Sequence, residues 1–285
     1  MLGKLFKHDF RALSRTLLPL HIGVAGAGLM ASIMMTVALR VGSNSDFSML
    51  RSMMSVMSGV GSVLLIIAVA ASALVTLLLV VGRVYKNLMS DEGYLTFTLP
   101  VTAGQQLWSK LLTGLVWVVI NALVIALVIV LYALFGTNSA GVLNVDIWAG
   151  LTDLLRALTG MTVEYPATPL LVAQVIVLAI TVGAQTLLQL YLAVILGCTL
   201  AKKHKILASV GLWFVINIVR NIVMALLGTG VLVFGTELAN IRMTDTLAMG
   251  LVQGMFFGNI LLALAWSAVF FLSARALLKN NLNLQ

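Results

Sequence analysis

Long apolar runs separated by short polar segments dominate the chain. Each run exceeds the ~18 residues that indicate a bilayer-spanning helix, and the ~10-residue alternation of a membrane β-barrel is absent. Helices satisfy their backbone polar groups within one segment, as lipid requires. The pattern predicts an all-α polytopic membrane protein without a soluble domain. Its six predicted spans are approximately Leu17–Leu39, Val60–Gly82, Leu111–Phe135, Leu170–Leu200, Ile206–Phe234 and Leu251–Ser273.

The segments outside the spans predict further elements. In residues 1–16, apolar positions recur at helical spacing opposite Lys and Arg, which predicts an amphipathic helix in the membrane interface. No small-residue cleavage site follows the first apolar run, so we expect this segment to be retained. The longest connection, residues 136–169, is predicted to be an external loop. Its apolar stripe from Ile147 to Leu158 favours a short surface helix.

The distribution of Lys and Arg predicts the orientation, because cytoplasmic segments carry an excess of both. The richer side holds both ends of the chain, so both termini are predicted to be cytoplasmic. That side carries Lys4, Lys7, Arg11, Arg15, Arg83, Lys86, Lys110, Lys202, Lys203, Lys205, Arg275 and Lys279, whereas the other carries Arg40, Arg51, Arg156 and Arg242.

Composition excludes several classes of protein. Of the 285 residues, 61% are apolar and 9% are charged, against roughly 25% charged in a soluble domain. The net charge is +8, but nucleic-acid binding needs basic residues clustered on one face, and here they are spread between apolar runs. The single cysteine, Cys198, excludes an intrachain disulfide.

The search for catalytic groups gives little. The three histidines are far apart, and none belongs to an H-E-x-x-H zinc motif. No acidic residue lies in a predicted span, so neither a carboxylate pair nor a proton relay is indicated. The phosphate-binding pattern G-x-x-x-x-G-K-[ST] is also missing. We therefore expect no enzymatic activity, and no metal or cofactor bound by this chain.

The cytoplasmic connection at residues 83–110 is the most informative segment. Ser90 is placed to cap a short helix whose first turn contains two acids, and Pro100 disfavours helix at the residue before it. Thr102 and Gln105 form a capping-box pattern that starts the next helix. The predicted helix–break–helix presents Tyr94, Leu95 and Phe97 beside Asp91 and Glu92, which suits a docking surface.

This segment carries a family resemblance. Residues 91–101, DEGYLTFTLPV, followed by SKLL at 109–112, resemble the E-G-x-L-x-x-x-L-P-V…K-L-L signature of type-2 ABC transporter permeases. Six spans, cytoplasmic termini and an N-terminal interfacial helix extend the resemblance to nearly the whole chain. Thr102-Ala103 replaces the usual Ser-Arg after Pro-Val, and the longest outer loop follows the third span, whereas in many relatives it follows the fifth.

The resemblance implies that this segment is the coupling helix, which seats in a groove on a separate ATPase subunit. Glu92 would be the acidic contact, Gly93 would allow the turn, and the neighbouring apolar side chains would fill the groove. The alternative is that the segment packs on the membrane surface with its acids solvated. The implied coupling residues are Asp91, Glu92, Gly93, Tyr94, Leu95, Phe97 and Pro100.

Polar residues inside the spans suggest a second candidate site. Arg220 lies near the middle of the fifth span, where an unpaired Arg costs at least ~2.5 kcal/mol. The candidate translocation path consists of Arg220, Asn217, Asn221, Gln185 and Gln189, of which the two glutamines share a face of the fourth span with Gln174 and Thr181. The alternatives are interhelical hydrogen bonds of roughly 0.6 kcal/mol each and, for Arg220, snorkelling of its side chain.

Together these features predict the membrane-spanning permease of an ATP-binding-cassette exporter. The resemblance implies two permease subunits, identical or homologous, and two ATPase copies that bind ATP and Mg, in a cell membrane that is expected to be bacterial. The cargo is expected to be amphipathic or hydrophobic, namely a peptide, drug or lipid, with self-protection against an antimicrobial peptide as one setting. The alternative is a non-transporting membrane scaffold or regulator that binds a cytoplasmic partner around Glu92.

Overall fold

Six long helices make up a computed structural model that describes residues 2–44, 48–89, 101–137, 168–201, 203–238 and 245–281. No strand occurs within these ranges, and all six helices are long and apolar enough to cross a bilayer. The predicted all-α class is confirmed for these residues, and the six candidate spans agree with the predicted multi-pass membrane protein. The helices are α1 (Leu2–Asn44), α2 (Ser48–Val84), α3 (Ala103–Thr137), α4 (Thr168–Leu200), α5 (Lys205–Leu238) and α6 (Asp245–Asn281), and a π-helical turn, Tyr85–Met89, extends α2.

The first helix differs from the sequence prediction. Residues 2–44 form one continuous α1 with Pro19 inside it, so no break separates the predicted interfacial helix from the first span. The prediction divided them where the amphipathic pattern ends, but amphipathicity reports which surface a helix faces and not where it stops. The external loop, including its predicted surface helix, lies outside the described residues beyond Thr137 and before Thr168.

The first of two compact units comprises residues 7–80 and 116–166, and we call it the α1–α3 unit. Its apolar core contains Val24 of α1, Leu65 of α2 and Val128 of α3, with Val69 and Tyr132 packed against it. The hydroxyl groups of Ser62 and Tyr132 lie 2.6 Å apart at the edge of this core.

The second unit, which we call the α4 unit, comprises residues 1–6, 81–115 and 167–285. Helix α4 is its centre, because it contacts α5, α6 and the π-helical turn. The stretch of α4 from Leu187 to Ile195 is almost entirely buried. The four residues between α4 and α5 make these helices an antiparallel hairpin, which places positions near the middle of α4 level with the middle of α5.

Candidate functional site

Arg220 is half-buried near the middle of the 34-residue helix α5. Its Nη1 donates a hydrogen bond to Oε1 of Gln189 on α4, with a nitrogen–oxygen distance of 3.0 Å. Its Nη2 donates to Oδ1 of Asn221 at 3.3 Å. The structure therefore brings together three of the five residues of the predicted path, and we call Arg220, Gln189 and Asn221 the Arg220 cluster.

The charge of the Arg220 cluster has no counter-ion within the part of the chain that the structure describes, since two amide oxygens are its hydrogen-bond acceptors there. Gln189 is only 1% exposed. Because its oxygen faces the guanidinium, its amide nitrogen Nε2 points elsewhere and has no acceptor among the described residues. A buried donor left in this state costs about 1–3 kcal/mol.

The other two predicted path residues do not hydrogen-bond to Arg220. Asn217 donates from Nδ2 to the carbonyl oxygen of Trp213 at 3.0 Å, within its own helix. Gln185 is buried one turn before Gln189 on α4. Gln174, further along the same face, donates to the carbonyl oxygen of Gln253 on α6 at 3.4 Å. That contact is interhelical, as the packing alternative expects.

Apolar side chains surround Arg220 on the surface of α5. Ile218, Val219 and Ile222 are each more than half exposed, and α5 has the smallest buried share of the six candidate spans. The guanidinium therefore lies at the edge of an apolar surface that the described part of the chain leaves exposed.

Of the predicted coupling segment, residues 83–110, the structure describes residues 83–89 and 101–110. Its residues Asp91, Glu92, Gly93, Tyr94, Leu95, Phe97 and Pro100 lie outside the described residues, so their proposed contacts stay predictions. The helix start that follows is described and confirms the predicted capping box. The backbone nitrogen of Thr102 donates to Oε1 of Gln105 at 3.2 Å, that of Gln105 donates to Oγ1 of Thr102 at 3.3 Å, and α3 begins between them at Ala103.

Both ends of the coupling segment are held within the α4 unit. At the start of the segment, the π-helical turn packs against α4, with Asn87 and Leu88 buried. At the end of the segment, the hydroxyl of Tyr191 on α4 donates to the carbonyl oxygen of Lys110 on α3 at 3.2 Å. The ring of Trp108 lies 5.1 Å from that of Phe271 on α6. The first turns of α3 are therefore attached to both α4 and α6.

A second buried polar cluster lies in the α1–α3 unit, and its residues were not combined in the sequence prediction. Nδ1 of His21 lies 2.6 Å from the carbonyl oxygen of Leu17, so Nδ1 carries the proton and Nε2 accepts. Nδ2 of Asn121 on α3 lies 3.1 Å from that Nε2 and 3.2 Å from Oγ1 of Thr76 on α2. Asn121 thereby connects three helices, with Ser72 also in reach at 3.4 Å.

The detectable signal for this second cluster was Asn121 itself. An amide inside an apolar span needs a partner on another helix, because lipid offers none. His21 also stacks on Trp117, with ring centroids 5.9 Å apart. The hydrogen bonds of this cluster join side chains of three helices, which suits a connection between helices rather than chemistry.

Within the described ranges, no three His, Cys, Asp or Glu side chains are grouped as metal ligands. Among the described residues, the features that bear on function are the Arg220 cluster, the cluster around Asn121 and the anchored connection between α2 and α3. Comparisons of the chain with protein-family models, with curated proteins and with solved structures gave no match.

Proposed function

We propose that this protein is the permease subunit of an ATP-binding-cassette exporter. A separate ATPase subunit binds and hydrolyses ATP with Mg, and the permease uses the resulting motion to export an amphipathic or hydrophobic substrate. The resemblance of residues 91–101 and 109–112 to the type-2 permease signature supports the proposal, together with six helices long enough to span a membrane.

The observation that carries the proposal is the anchoring of the coupling segment at both ends. A segment that transmits force must be attached to helices that move with it. Here the π-helical turn at the start of the segment contacts α4, and Lys110 at its end accepts a hydrogen bond from Tyr191 of α4. A push on the segment is thus delivered to α4 from both sides.

The same helix leads to the Arg220 cluster. Tyr191 follows Gln189 by two residues on α4, and Gln189 accepts the hydrogen bond from Arg220. Displacement of α4 therefore changes the surroundings of Arg220. In the proposed mechanism, closure of the two ATPase subunits moves the coupling segments, and α4 transfers this motion to the candidate path.

The topology of the proposal follows from charge. The excess of Lys and Arg on the side of the termini supports a cytoplasmic position for the coupling segment, where ATP is available. Two permease subunits, identical or homologous, lie in a bacterial cell membrane, and each binds one ATPase subunit on the cytoplasmic side.

The decisive variant is Glu92→Arg, which reverses the charge that is proposed to contact the ATPase. The matched control is Asp153→Arg, the same change of charge in the predicted external loop. We expect Glu92→Arg to lose both the co-purifying ATPase and ATP hydrolysis, with unchanged membrane insertion, while Asp153→Arg retains both.

Co-purification of an ATPase with Glu92→Arg at the wild-type level, with normal hydrolysis, would contradict the proposed coupling contact. If the wild-type protein instead brings down a non-ATPase protein through this segment, the scaffold alternative replaces the exporter.

A further inference from the structure

The exposed side of α1 carries a row of cations near the start of the helix. Spacings of three or four residues place these cations on one side of α1, and every one of them is exposed. The members of this cationic row are Lys4, Lys7, Arg11 and Arg15. Asp9, the one acid among residues 2–20, is only 3% exposed. Within this stretch of α1, the exposed surface therefore offers the cationic row no carboxylate.

The cationic row is electrostatically unfavourable within its own helix. Like charges three or four residues apart on a helix repel each other, so each member of the row repels the next. Cations in a first turn also oppose the helix dipole, and the first turn of α1 contains Lys4 but no acid. An anion beside the cationic row relieves both effects.

The opposite side of the same stretch is packed against protein. Leu13 and Leu17 are 7% and 0% exposed, and the ring of Phe10 stacks on that of Trp117 of α3, with centroids 5.1 Å apart. An amphipathic helix in the membrane interface buries its apolar side in the bilayer, whereas here that side is occupied by the core. Any contact of this stretch with lipid is therefore made by the exposed side, which carries the cations.

The exposed side of α1 becomes apolar immediately after Arg15. Leu18 and Ile22 continue the row at intervals of three and four residues, and they are 50% and 64% exposed. Residues 16–39 contain no Lys, Arg, Asp or Glu. Charged side chains are costly in hydrocarbon, whereas exposed apolar side chains favour it. This side of α1 thus changes from a surface suited to charged headgroups to one suited to hydrocarbon within a single helical turn.

We propose that Arg11 and Arg15 bind the phosphate group of an anionic phospholipid whose acyl chains lie along Leu18 and Ile22. Residues four apart on a helix have Cβ atoms about 6 Å apart, so both exposed guanidinium groups can reach one phosphate. Its oxygens accept paired hydrogen bonds from the planar guanidinium group. The lysines of the cationic row add longer-range attraction. Binding requires no ATPase, so the inference is independent of the proposed exporter.

The apolar continuation of the row favours a phospholipid over an acidic protein surface or a free phosphate ion. Either of these would neutralise the cations, but neither would cover Leu18 and Ile22. A phospholipid presents its phosphate and then its chains in the same order in which α1 presents cations and then apolar side chains. It therefore satisfies the whole exposed side, and its chains bury apolar surface there.

The experiment measures lipid binding to the purified full-length protein in detergent by native mass spectrometry. The probes are dioleoyl phosphatidylglycerol, dioleoyl phosphatidylcholine and inorganic phosphate. Each Lys or Arg beside an anionic lipid contributes about fivefold in affinity, so we expect phosphatidylglycerol to bind at least about tenfold more tightly than phosphatidylcholine. Inorganic phosphate is expected not to displace the lipid, because it makes no contact with apolar side chains.

The test variant combines Arg11→Gln with Arg15→Gln, and we expect it to bind phosphatidylglycerol about 25-fold more weakly than the wild type. Both side chains are exposed, so the fold is expected to be retained, which circular dichroism checks. The matched control combines Arg275→Gln with Lys279→Gln, which removes the same charge at the same spacing from exposed positions of α6. It is expected to keep the wild-type affinity, because the tightest site is the row of four cations.

Binding of phosphatidylglycerol by the α1 variant at the wild-type level would overturn the proposal, and loss of a co-purifying ATPase by that variant would then assign the cationic row to a protein contact. An equal loss of binding in the α6 control would also overturn it, since affinity would then follow total charge. Displacement of the lipid by inorganic phosphate at similar concentrations would overturn the assignment to a phospholipid. Because no ATPase is present, a failure here differs from a failure of the coupling experiment on Glu92.

Discussion

Gly197, near the end of α4, lies against the backbone of Ser209 on α5. A Cβ atom built at position 197 lies 2.5 Å from the amide nitrogen of Ser209 and 2.6 Å from its Cα, and it also meets the hydroxyl oxygen. Ordinary carbon contacts are about 3.5–4.0 Å. Since the nitrogen and Cα belong to the backbone, no change of side-chain rotamer removes the overlap. Gly197→Ala therefore forces α4 and α5 apart by about 1 Å.

This displacement sets the expected magnitude. Forcing one extra methyl group into a packed contact costs about 1–3 kcal/mol, which corresponds to a roughly 5- to 150-fold change in the folding equilibrium. Gln189 precedes Gly197 by eight residues, about 12 Å along α4. A shift of 1 Å carried that far lengthens the 3.0 Å bond to Arg220 beyond hydrogen-bonding distance. We therefore expect loss of the hydrogen bond between Arg220 and Gln189 as well as lower stability.

The assay is equilibrium unfolding of the purified protein in mixed micelles, followed by helical circular dichroism. Two controls use the same substitution in the same helix pair. A Cβ at Gly211 of α5 meets nothing within 4 Å, and one at Gly183 of α4 lies 3.6 Å from Leu115, an ordinary contact. Alanine is the better helix former by roughly 0.8–1.0 kcal/mol, so both controls are expected to be neutral or more stable.

Gly197→Ala is thus expected to lower the free energy of unfolding, whereas neither control is expected to lower it. If Gly197→Ala unfolds at the same detergent fraction as Gly211→Ala, the close approach of α4 and α5 at this point is refuted, along with the consequence for Arg220.

Two further predictions concern single hydrogen bonds. Asn121→Ala is expected to destabilise the α1–α3 unit. A double-mutant cycle with His21→Ala should give a coupling energy of about 0.6–1.7 kcal/mol. Purely additive effects of the two substitutions would contradict the 3.1 Å contact between these side chains. Tyr191→Phe removes the bond to the carbonyl of Lys110, so we expect a loss of only about 0.5–1.5 kcal/mol in unfolding but reduced substrate stimulation of ATP hydrolysis. Unchanged stimulation would exclude this bond from the route between the coupling segment and α4.

Several elements of this protein were predictable because their causes are local. The spans follow from the length of the apolar runs, and the predicted fourth span, Leu170–Leu200, coincides with the candidate span of the structure. The capping box at Thr102 and Gln105 needs only residues three apart, so the start of α3 was also predictable. The continuity of α1 was not, because a change in amphipathic pattern does not end a helix.

The polar clusters show the limit of periodicity. By spacing, one face of α4 carries Gln174, Gln185 and Gln189. In the structure, Gln189 accepts a hydrogen bond from Arg220 on α5, whereas Gln174 donates one to α6. The helix face that these glutamines share follows from the sequence. The hydrogen-bond partner of each one depends on which residue of the neighbouring helix lies opposite it. For Gln189, that residue is set by the packing of α4 and α5, including the contact at Gly197.

The sequence by itself determined that the chain is helical and built for a bilayer, since lipid leaves no other solution for long apolar segments. It also located the segment whose composition suggests a partner. Only the tertiary structure decided that His21 meets Asn121 across 100 residues of chain and that Arg220 faces amide oxygens within the described protein. The reason is physical. The hydrophobic effect is non-directional, so it determines which face of a helix is buried but not which residues pair. A hydrogen bond requires two particular atoms within about 3 Å of each other, and only the packed structure brings them together.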